Sequence, residues 1–295
     1  MEIEDVIIIG AGPGGMAAAL QLKRYGIDPL VIEHNQIGGL LHNANLVENY
    51  PGFPGGIPGP KLVHLFEEQI QDYSIRITAD SVGQIDHQDN YFIVSSQDQV
   101  YRSRFLVIAS GTKPRQFSDI NIPMDLQDRV FYEVYPLLDH KDQLIAVVGA
   151  GDAAFDYALN LGTENDVLVL NRSDQISCLP LLWERVIRVQ RIKYLQNTKI
   201  KEISRSLAGK VELHCSTPNG STSYEIDYLI GAIGRDPQLD FISGQFAKKA
   251  IQLESLGELY YVGDVVNGLY RQTAIAVGNG ILTAMKIYER LQEKV

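Results

Sequence analysis

One pattern occurs twice in this chain, and that duplication constrains the fold more than any other feature. Near the start, Asp5-Val-Ile-Ile-Ile9 is a short β-branched run. Gly10-Ala-Gly12-Pro-Gly-Gly15 follows at once, then the helix-forming stretch Met16-Ala-Ala-Ala-Leu-Gln-Leu-Lys-Arg-Tyr25, which Gly26 stops. A second strand, Pro29-Leu-Val-Ile32, ends on Glu33. The pattern returns as the strand Leu144-Ile-Ala-Val-Val148, the turn Gly149-Ala-Gly151-Asp-Ala-Ala154, the helix Phe155-Asp-Tyr-Ala-Leu-Asn-Leu161 stopped by Gly162, and the strand Val167-Leu-Val-Leu170. Each is a βαβ unit with glycines at the strand-to-helix junction, the Rossmann arrangement for a dinucleotide. The fold expected is therefore α/β, with two Rossmann-type dinucleotide-binding domains.

Each half closes alike. Phe105-Leu-Val-Ile-Ala-Ser-Gly111 and Tyr228-Leu-Ile-Gly-Ala-Ile-Gly234 are apolar strands running into glycine, and Glu258-Leu-Tyr-Tyr-Val262 delivers Gly263-Asp264 before a helix expected from about Ala274 to Lys294. Alternating segments such as Tyr91-Phe-Ile-Val94 and Val211-Glu-Leu-His-Cys215 predict small antiparallel sheets. Pro- and Gly-rich tracts at 51–60 and around 112–123 read as an ordered loop near a ligand and as a linker. The organisation expected is a first domain over 1–113 that resumes at 241–295, with a second domain inserted over 114–240. At roughly 100–200 residues per domain, the length accommodates both.

The glycines of the first turn have separate physical tasks. Gly10 permits the tight turn, Gly12 lets backbone approach a pyrophosphate, and Gly15 lets helix pack on strand; Gly14 lies in the same turn. The helix N-terminus then offers unpaired N–H groups to phosphate, and Glu33 can accept from a ribose diol. In the second turn Gly149, Gly151, Asp152 and Ala153 occupy the corresponding places.

The chain carries a net charge of −10 and no basic run, which excludes a uniform nucleic-acid-binding face. The apolar run Val6-Ile7-Ile8-Ile9 is too short to span a bilayer, and neither a signal peptide nor membrane insertion is expected. Two cysteines in a chain of this length, Cys178 and Cys215, suggest a reducing compartment, with the cytoplasm as default. They are read as structural. No His, Asp or Cys constellation suggests a metal.

Further motifs extend the argument. Gly38-Gly-Leu-Leu41, Glu48-Asn-Tyr-Pro-Gly-Phe-Pro54, Ile108-Ala-Ser-Gly111, Val262-Gly-Asp-Val-Val266 and Tyr270-Arg-Gln-Thr-Ala-Ile-Ala-Val-Gly-Asn-Gly280 resemble low-molecular-weight thioredoxin reductases over nearly the full length. The resemblance implies FAD on the first unit, NADPH or NADH on the inserted one, and a homodimer. It places Asp264 at the ribityl chain and Arg271, Gln272 and Thr273 at the pyrimidine edge of the flavin. There a cation and a helix N-terminus stabilise negative charge. It also places Asn49 beside the flavin and Gly39, Leu40, Val82, Ala109 and Gly111 around FAD. Gly234 falls to the nicotinamide nucleotide.

Two departures from the family shape the functional reading. Where the family reads a 2′-phosphate with a His-Arg-Arg cluster and a further arginine, this chain has Asn171, Arg172, Ser173 and Ser177. Losing two charged contacts weakens NADPH by about 3–6 kcal/mol if nothing replaces them. Asn171 could still hydrogen-bond the free diol, so the choice of nucleotide stays open. Where the family has Cys-x-x-Cys, this chain has Tyr132-Glu-Val-Tyr135 followed by Pro136. Dithiol exchange needs a thiolate and a resolving thiol, and phenols supply neither. Tyr132 and Tyr135 read either as a cover over the flavin or as packing at a domain interface. Thioredoxin-reductase-type ferredoxin–NADP reductases also lack the cysteines, and the match to them is partial.

The reading expected is an FAD-dependent oxidoreductase passing electrons between NAD(P)H and a non-disulfide acceptor: ferredoxin, flavodoxin, a quinone or a small molecule. Two alternatives remain at this point, a nicotinamide-independent flavoprotein linked to a redox protein, and a non-enzymatic FAD-binding sensor or scaffold.

Overall fold

The computed structural model describes residues 3–293. The chain divides into two compact units, the first made of residues 3–42, 47–113 and 236–293, the second of 43–46 and 114–235.

The first unit is built on a seven-stranded sheet. Its order is Arg76–Ala79, Leu30–Glu33, Ile3–Ile9, Val100–Ile108, Tyr91–Ser96, Val82–Gln88, and Leu259–Tyr261 also pairs with Val100–Ile108. The sheet is parallel except where Tyr91–Ser96 meets its two neighbours. The segment around Tyr91 was expected in a small separate sheet. It joins the main one instead, because Val100–Ile108 is long enough to pair with two strands in succession. Its first half lies against Tyr91–Ser96 and its second half against Leu259–Tyr261.

Alternation along the central strands feeds two cores. Val6, Ile8, Phe105 and Val107 pack with Ala18, Ala19 and Leu22 of the helix Pro13–Arg24 and with Ala284 and Ile287 of the helix Thr273–Glu293. Ile7, Ile9, Leu106 and Ile108 pack with Phe246, Ala250 and Leu253 of the helix Gly244–Ser255. The C-terminal helix starts one residue earlier than expected, and Lys294 lies outside the described residues. That helix crosses Pro13–Arg24 closely: a Cβ on Gly280 would lie 2.2 Å from the Gly14 carbonyl oxygen.

The second unit carries a five-stranded parallel sheet in the order Ile192–Leu195, Asp166–Leu170, Leu144–Val148, Tyr228–Gly231, Val130–Phe131. One face, with Ile145, Val147, Val167 and Val169, packs against the helices Asp152–Leu161 and Pro180–Val186. The other, with Ala146, Leu168 and Leu229, packs against the antiparallel sheet Lys199–Arg205, Val211–Thr217, Gly220–Ile226.

The boundaries differ from expectation at two places. The return to the first unit falls at residue 236 rather than 241, since the Gly111 carbonyl accepts from Gln238 N at 3.0 Å and Ser110 Oγ donates to the Gln238 carbonyl at 2.7 Å. Residues 43–46 group with the second unit, where Asn43 bonds Glu133 and Tyr135 and Asn45 N donates to Asp156.

Candidate functional site

The first glycine turn is an open cradle. Gly10 has φ +102°, and a Cβ there would lie 2.4 Å from the Ala109 carbonyl oxygen, so the strand end and the turn admit only glycine. A Cβ on Gly15 would lie 1.9 Å from the Gly10 carbonyl oxygen, which sets the close packing of helix on strand. At Gly12, by contrast, a Cβ would meet nothing within 4 Å: the space beside this backbone is free for a ligand. Gly12 caps the helix Pro13–Arg24 in extended conformation with no side-chain cap, and no acidic residue sits in the first turn. Its first N–H groups therefore have no competing anion.

Glu33 fixes this turn from below. Its Oε2 accepts from Ala11 N at 2.7 Å and its Oε1 from Asn35 N at 2.9 Å, and the residue is 8% exposed. Burial pushes its carboxyl up, but hydrogen bonds from His34, Ala11 and Asn35 together hold it below the ordinary 4.5. Oε1 takes both Asn35 N and His34 Nδ1, the latter at 3.2 Å, so the lone pair left for a ribose hydroxyl is on Oε2. Gly39 lies alongside, its Cβ position 3.7 Å from the Gly12 Cα, and the Gly38 N–H donates to the Ala11 carbonyl at 2.9 Å. Leu40 follows in the 3₁₀ turn Gly39–Asn43. Val82, at the start of its strand, packs partly on the second core of this unit.

The C-terminal motif lies in the same unit. Asp264 sits in the 3₁₀ turn Gly263–Val265, and Arg271 is half-buried before the helix Thr273–Glu293, whose first turn holds no acid. Asn49 Nδ2 donates to Gln272 Oε1 at 2.6 Å. The open glycine backbone and uncapped helix start offer donors to a pyrophosphate, and the ionised carboxylate at the strand end offers an acceptor to a ribose, the plan of a dinucleotide cradle.

The second turn repeats the backbone and changes its surroundings. Gly149 has φ +149°, and a Cβ there would meet the Ala232 carbonyl oxygen at 2.4 Å. Gly151 is extended at the N-terminus of Asp152–Leu161, and its Cβ position has only Ser177 Oγ near, at 3.7 Å. The backbone at Gly151 is thus open on that side except for Ser177. Asp152 is exposed and has a role that its sequence position did not reveal: its Oδ1 accepts from Leu179 N at 2.7 Å. Ser177 N also donates to the Ala150 carbonyl at 2.9 Å, so the segment after the second strand is pinned to the turn. Ala153 is exposed on the same helix start, and Gly234 has φ +109° at the end of its strand segment. Arg172 is exposed.

One sequence expectation, that for Asn171, needs correcting. Asn171 was read as a hydrogen-bonding partner for a ribose diol. It is 5% exposed, and its amide is engaged by Ser173, Gln175 and Tyr194. Tyr132 was read as a flavin cover or interface residue. Its ring packs within the second unit on Phe117, centroids 5.6 Å apart, and against Gly231, and its hydroxyl accepts from Phe117 N at 3.1 Å. Tyr135, at the start of the 3₁₀ turn Tyr135–Leu137, is 41% exposed, and its N–H donates to Asn43 Oδ1.

The cysteines are both free. Cys178 lies with the Phe155–Trp183 cluster and Cys215 with the cluster on the opposite sheet face. Burial pushes both thiols up, Cys215 to about 11, so neither is a ready thiolate near neutral pH.

Two Rossmann cradles in one chain define an FAD-dependent oxidoreductase that also uses a nicotinamide nucleotide. The chain belongs to the pyridine nucleotide-disulphide oxidoreductase family, whose model matches residues 4–280. It is 28% identical to the thioredoxin reductase of Mycolicibacterium smegmatis over 316 residues, covering 99% of this chain and 98% of that one. It is 29% identical to the Chlamydia pneumoniae thioredoxin reductase over 304 residues, covering 95% and 96%. Among solved structures, it superposes on Lactococcus lactis thioredoxin reductase with a TM-score of 0.85 at 24% identity, covering 98% of this chain and 99% of the other. The Staphylococcus aureus bacillithiol disulfide reductase gives 0.75 at 21% identity, covering 100% and 99%. These two likenesses show the fold. Among the described residues, no helix is long and apolar enough to cross a membrane.

Proposed function

We propose that this chain passes electrons from NAD(P)H through FAD to a non-disulfide acceptor: a redox protein such as ferredoxin or flavodoxin, a quinone or a small molecule. The observation that carries this reading is the state of the dithiol position. Tyr132 and Tyr135 stand there, the first half-buried against a core of its unit, and the two cysteines of the chain are free, on opposite sheet faces and disfavoured as thiolates. The thioredoxin reductases it resembles suggest a disulfide acceptor, and that is the outcome against which the proposal is tested.

Bound FAD supplies two-electron acceptance and onward transfer. The chain's own residues bind and orient it. Gly12 and the helix start at Pro13 receive the pyrophosphate, Glu33 takes the ribose, Asp264 the ribityl chain, and Asn49 with Arg271 and Gln272 the flavin edge. Gly14 and Gly15 allow the packing that holds the cradle, while Gly39, Leu40, Val82, Ala109, Gly111 and Thr273 line it. Gly149, Gly151, Asp152, Ala153, Arg172 and Gly234 form the nicotinamide-nucleotide side. A homodimer is the assembly that accompanies this reading.

The deciding experiment is steady-state turnover of the FAD-loaded protein with NADPH and with NADH. Thioredoxin disulfide, ferricyanide, a plant-type ferredoxin and a water-soluble quinone serve as separate acceptors. Turnover with any of the last three and none with thioredoxin supports the proposal. Efficient thioredoxin reduction overturns it.

A further inference from the structure

The two turns share one plan but treat the residue at the end of their second strand in opposite ways. In the first unit Glu33 reaches back, and its Oε2 accepts from Ala11 N at 2.7 Å. In the second, Asn171 holds the same place but is turned forward into its own loop. Its Nδ2 donates to the Gln175 carbonyl at 2.8 Å and to the Tyr194 hydroxyl oxygen at 2.9 Å. Its Oδ1 accepts from Ser173 N at 3.1 Å and from the Ser173 hydroxyl at 3.4 Å. A carboxamide has two donor hydrogens and two lone pairs, so its capacity is filled.

The groups that hold Asn171 are themselves held. The Tyr194 ring meets Trp183 edge-on with centroids 5.1 Å apart and Phe155 at 5.9 Å. Asn171 N donates to the Leu195 carbonyl at 2.9 Å, and its own carbonyl accepts from Thr198 N at 2.8 Å. The far end of the loop is tied to the glycine turn by Ser177 N on the Ala150 carbonyl and by Leu179 N on Asp152 Oδ1. Swinging Asn171 outward would break its bonds to the Gln175 carbonyl, the packed Tyr194 hydroxyl and Ser173 together, which costs more than one exposed ribose contact returns. Arg172 is the exposed side chain that this closed loop presents directly after the strand.

We infer that Asn171 and Tyr194 are positioning residues for nicotinamide-nucleotide recognition. The pair fixes the loop 171–177 before the nucleotide arrives, so that Arg172 and not Asn171 meets its ribose end. An ordered loop lowers the entropic cost of binding, so the pair governs affinity and leaves the rate at saturation untouched. The inference rests on nucleotide binding by the second unit.

The test uses Tyr194→Phe, which removes one hydroxyl and keeps the ring, and Asn171→Asp, whose carboxylate cannot donate to the Gln175 carbonyl. Three quantities are read on the FAD-loaded protein. They are NADPH and NADH affinity by calorimetry, flavin reduction at saturating nucleotide, and amide hydrogen exchange over 171–177 without nucleotide. Tyr194→Phe is expected to weaken both nucleotides about fivefold, the equivalent of ~1 kcal/mol at 1.4 kcal/mol per decade. Their ratio and the saturating rate should be unchanged, with faster exchange at Ser173 and Gln175. Asn171→Asp is expected to speed exchange further and to weaken NADPH more than NADH, through its added charge. Unchanged affinity and exchange in Tyr194→Phe overturns the inference alone, as does a fall in saturating rate at intact affinity. Failure of the unsubstituted protein to bind either nucleotide overturns both the inference and the proposed electron donor.

Discussion

Asn49 and Gln272 lie 223 residues apart in sequence and are joined by a hydrogen bond of 2.6 Å from Asn49 Nδ2 to Gln272 Oε1. The bond ties the loop after the second strand to the segment that starts the last helix, the two places that frame the proposed flavin edge. Both side chains are exposed, so the bond contributes about 0.5–1.5 kcal/mol at most. Gln272→Ala should leave FAD bound but weaken it by up to about tenfold, with a shift in the flavin absorption envelope. Fluorescence titration of the FAD-stripped protein reads the affinity. An unchanged affinity and spectrum would place this pair away from the flavin.

Glu33 gives a prediction with a defined pH window. Its carboxyl sits below the ordinary 4.5, and a depressed carboxyl stabilises the fold above the unfolded value and loses that contribution as pH falls through the folded one. Glu33→Gln should therefore melt lower than the unsubstituted protein near neutral pH, with the gap closing as pH drops below about 4.5. His34, whose ring is raised above 6.5 chiefly by its hydrogen bond to Glu33, adds a term of opposite sign that is lost as pH rises through its folded value. Melting temperature against pH for both proteins checks this. A gap independent of pH down to 3 would show that the negative charge is not what Glu33 contributes.

The helix crossing supplies a packing test that needs no cofactor. Gly280→Ala would drive a methyl into the Gly14 carbonyl, 2.2 Å away, and Ala18 N, 2.9 Å away. Both are backbone, so a rotamer change cannot relieve the clash. A loss of about 1–3 kcal/mol follows from overpacking, read by urea unfolding. Gly278→Ala, two residues earlier on another face of the same helix with nothing within 4 Å of its Cβ, is the control and should be near neutral.

Much of this architecture is legible in sequence because glycine and apolar spacing report backbone requirements directly. Gly10, Gly15 and Gly149 are each placed by a backbone atom within 2.4 Å of where a side chain would begin, and such positions cannot drift. Pairings decided by distant partners are not legible. Nothing near Asn171 announces that Tyr194, 23 residues on, takes its amide. Asp152 reads as part of a phosphate turn, while its contact with Leu179 N spans 27 residues. Tyr132 shows the same limit: the absence of cysteine at 132 and 135 is visible in sequence, but the packing of the Tyr132 ring on Phe117 depends on tertiary contacts.

That packing predicts the result of placing a dithiol at 132 and 135. Tyr132→Cys with Tyr135→Cys would remove a packed ring beside Gly231 and the acceptor of Phe117 N. The loss should be about 1–3 kcal/mol, below that for a fully buried aromatic because the ring is half-buried. Tyr135→Cys alone, at an exposed position, should cost under about 1 kcal/mol. Denaturant unfolding of the single and double variants separates the two. A double variant as stable as the parent that also reduced thioredoxin would show that the site is still shaped for a disulfide.

Nucleotide choice follows from charge around the pinned loop. Arg172 offers one cation to a 2′-phosphate, and Asp174, exposed two residues on, offsets it in part. Native discrimination between NADPH and NADH should therefore stay within about tenfold, ~1.4 kcal/mol. Two substitutions that look equivalent in sequence should then behave differently. Ser177 is exposed beside Gly151, and it holds the turn through both its backbone N–H, at 2.9 Å, and its hydroxyl, at 3.2 Å, on the Ala150 carbonyl. Ser177→Arg gives up the longer hydroxyl bond, keeps the shorter backbone one and adds a cation, so it should raise the NADPH preference by about tenfold. Ser173 Oγ instead lies inside the Asn171 network, 3.4 Å from Oδ1, and accepts from Gln175 N at 3.3 Å. Ser173→Arg gains a charge but loosens the loop that must present it, and should improve NADPH less than Ser177→Arg does. The measurement is the ratio of flavin reduction rates with each nucleotide at subsaturating concentration, for the parent and both variants. Equal gains from the two would show that the loop order seen around Asn171 has no part in recognition. A native preference for NADPH above about a hundredfold would mean that residues other than Arg172 read the phosphate.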